Sequence, residues 1–367
     1  AGIRAVDVTV RGAPAELDGL ARKLRFVVAN DVLAQRPVEP KVIWRGSVAR
    51  EPRDVFDELL AQGVAWEAGE GQIVVGEPVL ALMDHLDARV RSLAVAEFGA
   101  REYRYPTIIP TAVMRRCGYF QSFPQLMMFV GRLHGDVDTY REFLDELADG
   151  RDLSDGLSSH CGDIDYCLPP TMCFHTYHQF ADRPLPSPAM AITSRGKSFR
   201  FESRYRRSLE RLWDFTIREI VFLGRLDFVL RSRSRLMERT FDLVEELGLG
   251  GHCEVAGDPF FVNADTAARV WSQQLLELKY ELRLPLDADR DVAVCSFNRH
   301  DRFFAESFGI GPAAGEAGEG SADTEEAEAA VHTACAGFGL ERLAYAFLCR
   351  HGPDPARWPA GVRGAVT

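Results

Sequence analysis

Two stretches of the sequence predict an α+β fold in which helices flank an antiparallel sheet. Residues Arg195 to Gly224 alternate apolar and polar side chains at both ends and are arginine-rich in the middle. This pattern is typical of two antiparallel strands joined by a long loop. Near the C-terminus, Gly337 and Gly339 precede an apolar run of helical period that includes Arg342. We therefore expect strands and helices to meet around one set of charged residues.

Length and composition restrict the class of protein. The 367 residues are enough for one large domain and a smaller one, and 46% hydrophobic with 26% charged residues fits a soluble globular protein. No apolar run approaches the roughly 20 residues that span a bilayer, so we expect a cytoplasmic protein without membrane contact. Eight cysteines without a C-x-x-C pair predict reduced thiols. The net charge of -11 disfavours a nucleic acid partner such as tRNA.

Composition and pattern divide the chain into three parts. Residues 1–76 are predicted as a small acidic α+β module, residues 77–352 as a large domain, and residues 353–367 as a C-terminal tail. Residues 311–329 are almost all Gly, Ala, Glu, Ser and Asp. They cannot bury enough apolar surface to offset their chain entropy, which predicts a mobile acidic insertion. The predicted elements of the front module are strands Ile3–Val10, Lys41–Val48 and Gln72–Val75 and helices Pro14–Asn30 and Pro52–Gln62.

The large domain begins with a long helical pattern, Glu77 to Phe98, followed by a strand that contains Pro110. Cys173 follows a double proline, which fixes the backbone there. His175 and His178 lie three apart on a predicted helix, and we expect them at the surface or as caps rather than as metal ligands. The other predicted elements are helices Val137–Leu147 and Arg225–Leu247 and strands Leu275–Leu284 and Val292–Phe297.

Two motifs in this order resemble those of a known family. Phe199-Arg200-Phe201-Glu202 has the form Phe-Arg-x-Glu, and Gly337 to Arg342 has the form Gly-x-Gly-x-x-Arg. Together they resemble motifs 2 and 3 of the class II aminoacyl-tRNA synthetases. The earlier helix and its Pro110 strand resemble motif 1, which builds the dimer interface of that family. The resemblance covers roughly residues 77–352 and implies the class II antiparallel sheet, a homodimer, and ATP with Mg²⁺ as cofactors.

The resemblance also implies roles for individual residues. Arg200 would hold the α-phosphate of ATP and the substrate carboxylate, and Glu202 would face the adenine amino group. Phe215 would stack under adenine, while Arg342 would cover the γ-phosphate. Ser296 matches the serine of the strand before motif 3. The family usually has an acidic residue just before that serine, whereas here Ala293 stands three residues before Ser296 and the nearest acid is Asp291. Because of this departure, the resemblance does not identify the residues that would bind Mg²⁺ in this chain.

Three widely spaced residues restrict the resemblance to the zinc-dependent seryl branch of the class II enzymes. Cys173, Glu219 and Cys335 occupy the positions of the zinc ligands in archaeal-type seryl-tRNA synthetases and in the amino acid to carrier protein ligases related to them. Three protein ligands leave one open position on Zn²⁺, as in catalytic sites. A free α-amino group could fill it, which would select amino acids over other carboxylates. The alternative is a pair of core cysteines near a buried glutamate.

The two zinc-dependent families differ in their acceptor. Because the front module is small and acidic, we expect a ligase that loads a small amino acid onto the phosphopantetheine thiol of a carrier protein. Glycine, alanine, serine or a nonstandard amino acid would fit this expectation. Arg204, Arg206 and Arg207 could meet an acidic carrier helix or could order over ATP. The alternatives are an archaeal-type seryl-tRNA synthetase with a reduced front domain and a non-catalytic synthetase-like regulator.

Overall fold

The computed structural model describes most of the large domain. The described residues are 41–47, 51–150, 152, 159–162, 164–202, 208–256, 277–314 and 330–366, together with five positions between 19 and 25. The predicted strand Ile3–Val10 and the loop arginines at 204, 206 and 207 lie outside them. The five positions between 19 and 25 are helical, as the pattern of Pro14–Asn30 predicts. None of the helices in the described part of the chain is long and apolar enough to span a membrane.

The described elements are thirteen strands and ten α-helices, with two 3₁₀ turns. The strands are β1 (Val42–Gly46), β2 (Ala65–Gly69), β3 (Gln72–Val75), β4 (Arg101–Tyr103), β5 (Ile109–Pro110), β6 (Met128–Val130), β7 (Tyr166–Leu168), β8 (Ala189–Phe199), β9 (Asp214–Gly224), β10 (Gly251–Val255), β11 (Lys279–Pro285), β12 (Asp291–Asp301) and β13 (His332–Gly339). The α-helices are α1 (Phe56–Ala61), α2 (Val79–Phe98), α3 (Thr111–Arg116), α4 (Tyr119–Ser122), α5 (Val137–Ala148), α6 (Cys173–Gln179), α7 (Leu226–Glu246), α8 (Phe303–Phe308), α9 (Leu340–His351) and α10 (Ala360–Val366). Two single 3₁₀ turns, Pro124–Leu126 and Pro355–Arg357, complete the described elements.

An eight-stranded sheet forms the centre of the fold, with the strand order β1-β10-β11-β12-β13-β9-β8-β4. All neighbouring strands in it are antiparallel except β4 and β8. The predicted hairpin is confirmed, because β8 and β9 pair without interruption from Ala189 opposite Gly224 to Phe199 opposite Asp214. Strand β13 then pairs with β9, with Gly337 opposite Glu219. The segments that resemble motifs 2 and 3 therefore lie side by side.

Helices pack against both faces of this sheet. Helix α2 buries Leu82, Leu86 and Val90 in the main core, and helices α7 and α9 bury Leu236 and Phe347 in the same cluster. These residues recur at helical spacing, and burying each such side chain contributes about 1.5–3 kcal/mol. A second cluster is formed mainly by α3, α6 and α8 on the other side of β9. The sheet is thus held between two apolar layers.

The structure adds detail to the predicted boundaries. Strand β1 pairs with β10 at the edge of the central sheet, although it belongs to the predicted front module. Trp358 and Val362 of the predicted tail are buried in the main core. Residues 315–329 of the predicted insertion lie outside the described residues, whereas Ala313 is buried. The division into three domains stays a prediction.

Candidate active site

One cavity of about 320 Å³ opens over the central sheet. It is lined by the eight described residues to which the family resemblance assigns a role: Cys173, Arg200, Glu202, Phe215, Glu219, Ser296, Cys335 and Arg342. Strand alternation explains part of this arrangement, because Phe215, Ile217 and Glu219 of β9 are two residues apart and share the face that lines the cavity. The hairpin and the C-terminal helix therefore supply one site, as the sequence predicts.

Cys173, Glu219 and Cys335 form a triad at one end of the cavity. They come from α6, β9 and β13, and all three are buried. One ligand atom from each lies within 4.8 Å of the others. Two sulfurs on one tetrahedral zinc ion would lie about 3.8 Å apart, given Zn–S bonds of about 2.3 Å. The triad is thus close to the spacing that a metal ion requires.

The protonation of the triad supports the same interpretation. Burial raises the pKa of Glu219, and the hydroxyl and thiols that donate to it do not outweigh that effect. Burial and the neighbouring Cys335 and Glu219 raise the pKa of the Cys173 thiol well above its ordinary value. The hydrogen-bond donors of Glu219 are therefore all neutral. A divalent cation is the group that would compensate a carboxylate and two thiolates here, and the donor set fits zinc.

A second layer of polar groups surrounds the triad. Thr171 Oγ1 donates to both carboxylate oxygens of Glu219, at 2.9 and 3.1 Å. Asn298 Nδ2 lies 3.6 Å from Cys335 Sγ, and His300 Nε2 lies 3.7 Å from the same sulfur. Outer contacts of this kind orient metal ligands and tune their basicity. Asn298 and His300 line the cavity, although the sequence did not single them out.

Gly337 allows the backbone of β13 to form the floor between the triad and the rest of the cavity. A Cβ atom added there would lie 2.8 Å from Ile217 Cδ1 and 3.9 Å from Glu219 Oε1. Because real Cβ atoms do not approach other atoms within 3.0 Å, any larger residue would require the Ile217 side chain to move. The first glycine of the Gly-x-Gly pair is thus explained by the close approach of β13 to β9.

Arg200, Glu202 and Phe215 line the part of the cavity near the end of the hairpin. The spacing of Arg200 and Glu202, two residues apart, predicts that they share one face of the first strand, and this prediction is wrong because β8 ends at Phe199. Arg200 Nε donates to the carbonyl of Pro170 at 3.1 Å, and its guanidinium lies 5.4 Å from the ring centroid of Phe215. Glu202 accepts from Arg211 at 3.0 Å. Both side chains line the same cavity, although they lie in the loop after the strand and not on one of its faces.

Arg342 approaches the cavity from the first turn of α9. Burial and the nearby cations Arg200 and Arg211 lower its pKa to about 10, so it remains protonated at neutral pH. It donates to the carbonyls of Glu210 at 2.6 Å and Ala293 at 3.1 Å. These bonds use two of the five N–H groups of a guanidinium. The other three N–H groups have no partner among the described residues, so they can donate to a ligand.

The acidic residue expected near Ser296 comes from a different strand. Asp291 does not line the cavity; it accepts from Arg283 at 2.8 Å. Glu281 on β11 lies opposite Ser296 in the sheet register and lines the cavity together with Lys279. Burial would raise the pKa of Glu281, but the cations around it, first among them Lys279 at 2.7 Å, hold it below its ordinary value. Glu281 therefore stays ionised.

Helix α6 corrects one expectation about histidines. His178 is exposed, as predicted, but His175 is buried and stacks on Tyr105 with ring centroids 5.3 Å apart. Burial lowers the pKa of His175 to about 4. Its side chain points into the second core because Cys173 and the apolar residues around it fix that face of the helix. His175 lies outside the residues that line the cavity.

Comparisons with known proteins agree with this geometry. The chain is 36% identical over 262 residues to amino acid–[acyl-carrier-protein] ligase 2 of Bradyrhizobium diazoefficiens, which covers 71% of this chain and 72% of the relative. It is 26% identical over 377 residues to the type-2 serine–tRNA ligase of Methanococcus maripaludis, covering 98% of this chain and 69% of the relative. No protein-family model matches the chain.

A solved structure establishes the fold. The M. kandleri SerRS in a crystal structure with A. aeolicus tRNASec superposes with a TM-score of 0.75 at 24% sequence identity, covering 95% of this chain and 68% of that one. The class II architecture predicted from the motifs is thereby confirmed. The ligase of Bradyrhizobium diazoefficiens is similar enough, over enough of its length, to show kinship beyond the fold. The chain belongs to the family of amino acid–[acyl-carrier-protein] ligases, which is related to the type-2 seryl-tRNA synthetases.

Proposed function

We propose that the chain activates a small amino acid with ATP and transfers it to the phosphopantetheine thiol of a carrier protein. The observation that supports this most directly is the buried triad of Cys173, Glu219 and Cys335 in the same cavity as Arg200 and Arg342. A site for an amino group and a site for phosphates are thus adjacent. The choice of a carrier protein as the acceptor is based on the two relatives named amino acid–[acyl-carrier-protein] ligases.

The triad would hold a zinc ion, and the bound ion would supply one open coordination position for the α-amino group of the substrate. Thr171 keeps the Glu219 carboxylate fixed for that purpose. Phe174, His300 and Phe304 line the cavity beside the triad, which leaves little room for a large side chain. The substrate we propose is therefore a small amino acid.

Arg200 and Arg342 would stabilise the charge that develops when the substrate carboxylate attacks the α-phosphorus of ATP. In that step a carboxylate oxygen bonds to phosphorus and pyrophosphate leaves. The carrier thiolate then attacks the carbonyl carbon, and AMP leaves. Positioned cations supply most of the catalysis in such phosphoryl chemistry, so the chain needs no side-chain nucleophile. Phe215 would stack under adenine, and Glu202 would accept from its amino group.

The charges around the cavity indicate that ATP binding requires Mg²⁺. Among the described residues that line the cavity, the cationic side chains are Arg200, Lys279 and Arg342, and the carboxylates are Glu202, Glu219, Glu281 and Glu341. The cavity is therefore not positive enough to accept a triphosphate without added cations. Glu281 and Ser296, opposite each other in the register, are the candidates for holding the phosphate-bound Mg²⁺.

A type-2 seryl-tRNA synthetase is the second candidate, since the relative from Methanococcus maripaludis matches 98% of this chain. We favour the carrier protein because two relatives, at 36% and 33% identity, are carrier protein ligases. A homodimer, formed through the segment from α2 to β5, is part of the proposal. The first 76 residues carry 11 acidic against 10 basic side chains, and this lack of a basic excess also favours a protein acceptor over tRNA.

The test offers the protein ATP, Mg²⁺ and a mixture of amino acids together with a phosphopantetheinylated carrier and total tRNA. Intact mass measures loading of the carrier, and acid-precipitable label measures loading of tRNA. A mass increment on the carrier is the expected result, and its size identifies the amino acid. A carrier that lacks the phosphopantetheine arm is the matched control. Label on tRNA alone would indicate a seryl-tRNA synthetase. Absence of pyrophosphate exchange with every amino acid would favour a non-catalytic role.

A further inference from the structure

The orientation of Arg342 depends on a backbone carbonyl whose own position is fixed from outside the cavity. Arg342 Nε donates to the carbonyl of Glu210 at 2.6 Å. Glu210 lies just after the arginine-rich loop of the hairpin and is buried, with 7% of its surface exposed. A carbonyl in a loop segment holds an arginine in place only if the segment itself is held. The contacts of the Glu210 carboxylate therefore help to fix the Glu210 carbonyl and, through it, the orientation of the Arg342 side chain.

The carboxylate of Glu210 is held by two partners. Arg290 Nη1 donates to its Oε1 at 2.7 Å, and Ser208 Oγ donates to the same oxygen at 3.2 Å. Ser208 Oγ also accepts from the backbone N–H of Glu210 at 3.1 Å. Arg290 belongs to the tight turn between β11 and β12. A charged pair thus joins that turn to the segment that carries the carbonyl.

Arg290 is in turn fixed by acids from two places. Asp287, three residues earlier in the turn, accepts from Arg290 Nε at 2.7 Å. Asp54, from the front segment of the chain, accepts from Nη2. The other carboxylate oxygen of Asp54 accepts from Tyr345 Oη at 2.5 Å. Tyr345 lies three residues after Arg342 on α9, so the chain of contacts returns to the helix that carries Arg342.

We propose that Asp54, Arg290 and Glu210 form a clamp that positions Arg342 for the terminal phosphate of ATP. The clamp is a set of positioning residues, since none of the three lines the cavity. It gives the front segment a role in nucleotide binding, because one of its residues completes the contacts. The inference rests on the proposed function insofar as the ligand of Arg342 is ATP.

The test measures binding of ATP with Mg²⁺ by calorimetry and the KM values for ATP and amino acid in pyrophosphate exchange. Glu210→Ala and Arg290→Ala are each expected to weaken ATP binding about tenfold, because a hydrogen bond to a charged group contributes about 1.5–3 kcal/mol. The KM for the amino acid and the zinc content should stay unchanged. The double variant should resemble either single variant, since both act through the same carbonyl. Asp289→Asn, at an exposed residue of the same turn, is the matched control and should change nothing.

The outcomes separate the clamp from the proposed function. ATP binding in Glu210→Ala and Arg290→Ala equal to that of the unaltered protein would overturn the clamp. Equal weakening of ATP and amino acid binding would also overturn it, since that indicates general loss of structure. If Glu210→Ala loses zinc, the milder Glu210→Gln is compared with the unaltered protein on the same measurements. ATP binding without exchange for any amino acid would overturn the proposed function and leave the calorimetric test of the clamp intact.

Discussion

Replacing Asp87 by Ala should destabilise the fold far more than replacing Asp84, although both carboxylates lie on α2 and bind arginines. Arg218, on the face of β9 opposite the cavity, is fully buried. Its Nε and Nη2 donate to the two carboxylate oxygens of Asp87 at 2.6 and 2.7 Å. Asp84 pairs with Arg195 at 2.7 Å, and its side chain is 64% exposed; Arg195 lies farther from Asp87, at 3.4 Å. The pair of variants thus compares a buried with an exposed ion pair on one helix.

The expected magnitudes follow from burial. Removing one partner of a buried ion pair costs about 3–5 kcal/mol, because the remaining charge loses compensation without regaining water. Arg218 keeps one further carboxylate contact, to Glu102 at 2.9 Å, so we expect about 3 kcal/mol for Asp87→Ala. Exposed pairs contribute about 0–1 kcal/mol, which sets the expectation for Asp84→Ala.

Urea unfolding followed by the fluorescence of the five tryptophans measures both free energies. The double change Arg218→Met with Asp87→Leu should recover most of the stability, since it removes both charges together. Equal losses in Asp84→Ala and Asp87→Ala would refute the assignment of Arg218 as a buried cation that depends on Asp87. A double variant less stable than Asp87→Ala would show that packing rather than charge controls the site.

Three further predictions concern the site and its helix. Cys335→Ser should reduce bound zinc, measured by elemental analysis, to background and abolish pyrophosphate exchange, and full exchange by metal-free protein would contradict the zinc assignment. Arg200→Ala should slow exchange about a hundredfold or more, and an unchanged rate would remove Arg200 from the site. Burial lowers the pKa of His351 from 6.5 in the folded chain, so the stability due to its neutral form is lost as pH falls below that value. His351→Gln should therefore flatten the decline in unfolding free energy between pH 7.5 and 5.5, and an unaltered decline would contradict this.

The sequence predicts the parts of the site that lie within one element. Alternation places Phe215 and Glu219 on the same face of a strand, and they do line one cavity. It also predicts the hairpin, because both strands show the pattern and the polar middle marks the connection. Arg200 and Glu202 reach the site by a different route, since the strand ends before them. The sequence pattern thus identified Arg200 and Glu202 but did not predict that the backbone leaves the strand before them.

Residues that meet across the sheet were not predictable from local pattern. Cys335 comes near Glu219 because β13 pairs with β9, and no feature of either strand specifies that neighbour. The family resemblance supplied this contact in place of physical reasoning. Glu281 gave a weaker signal: the charged residues Lys279, Glu281 and Arg283 alternate along a strand predicted to be central. Charged side chains sharing one face of a buried strand indicate a polar cavity, and this pattern would have located Glu281.

The contacts of Asp54 show why the front segment could not be interpreted by itself. Its sequence suggests a separate small module, and it offers no motif for binding a ligand. In the fold, Asp54 bonds to Tyr345 at 2.5 Å and to Arg290, two residues that are far away in the chain. Arg290 acquires its importance from Glu210, whose carbonyl reaches Arg342. A residue in the front segment can therefore influence the proposed phosphate site through three ordinary polar contacts, none of which has a signature in the sequence. Its effect on ATP binding, without an effect on amino acid binding, distinguishes such a role from general stabilisation.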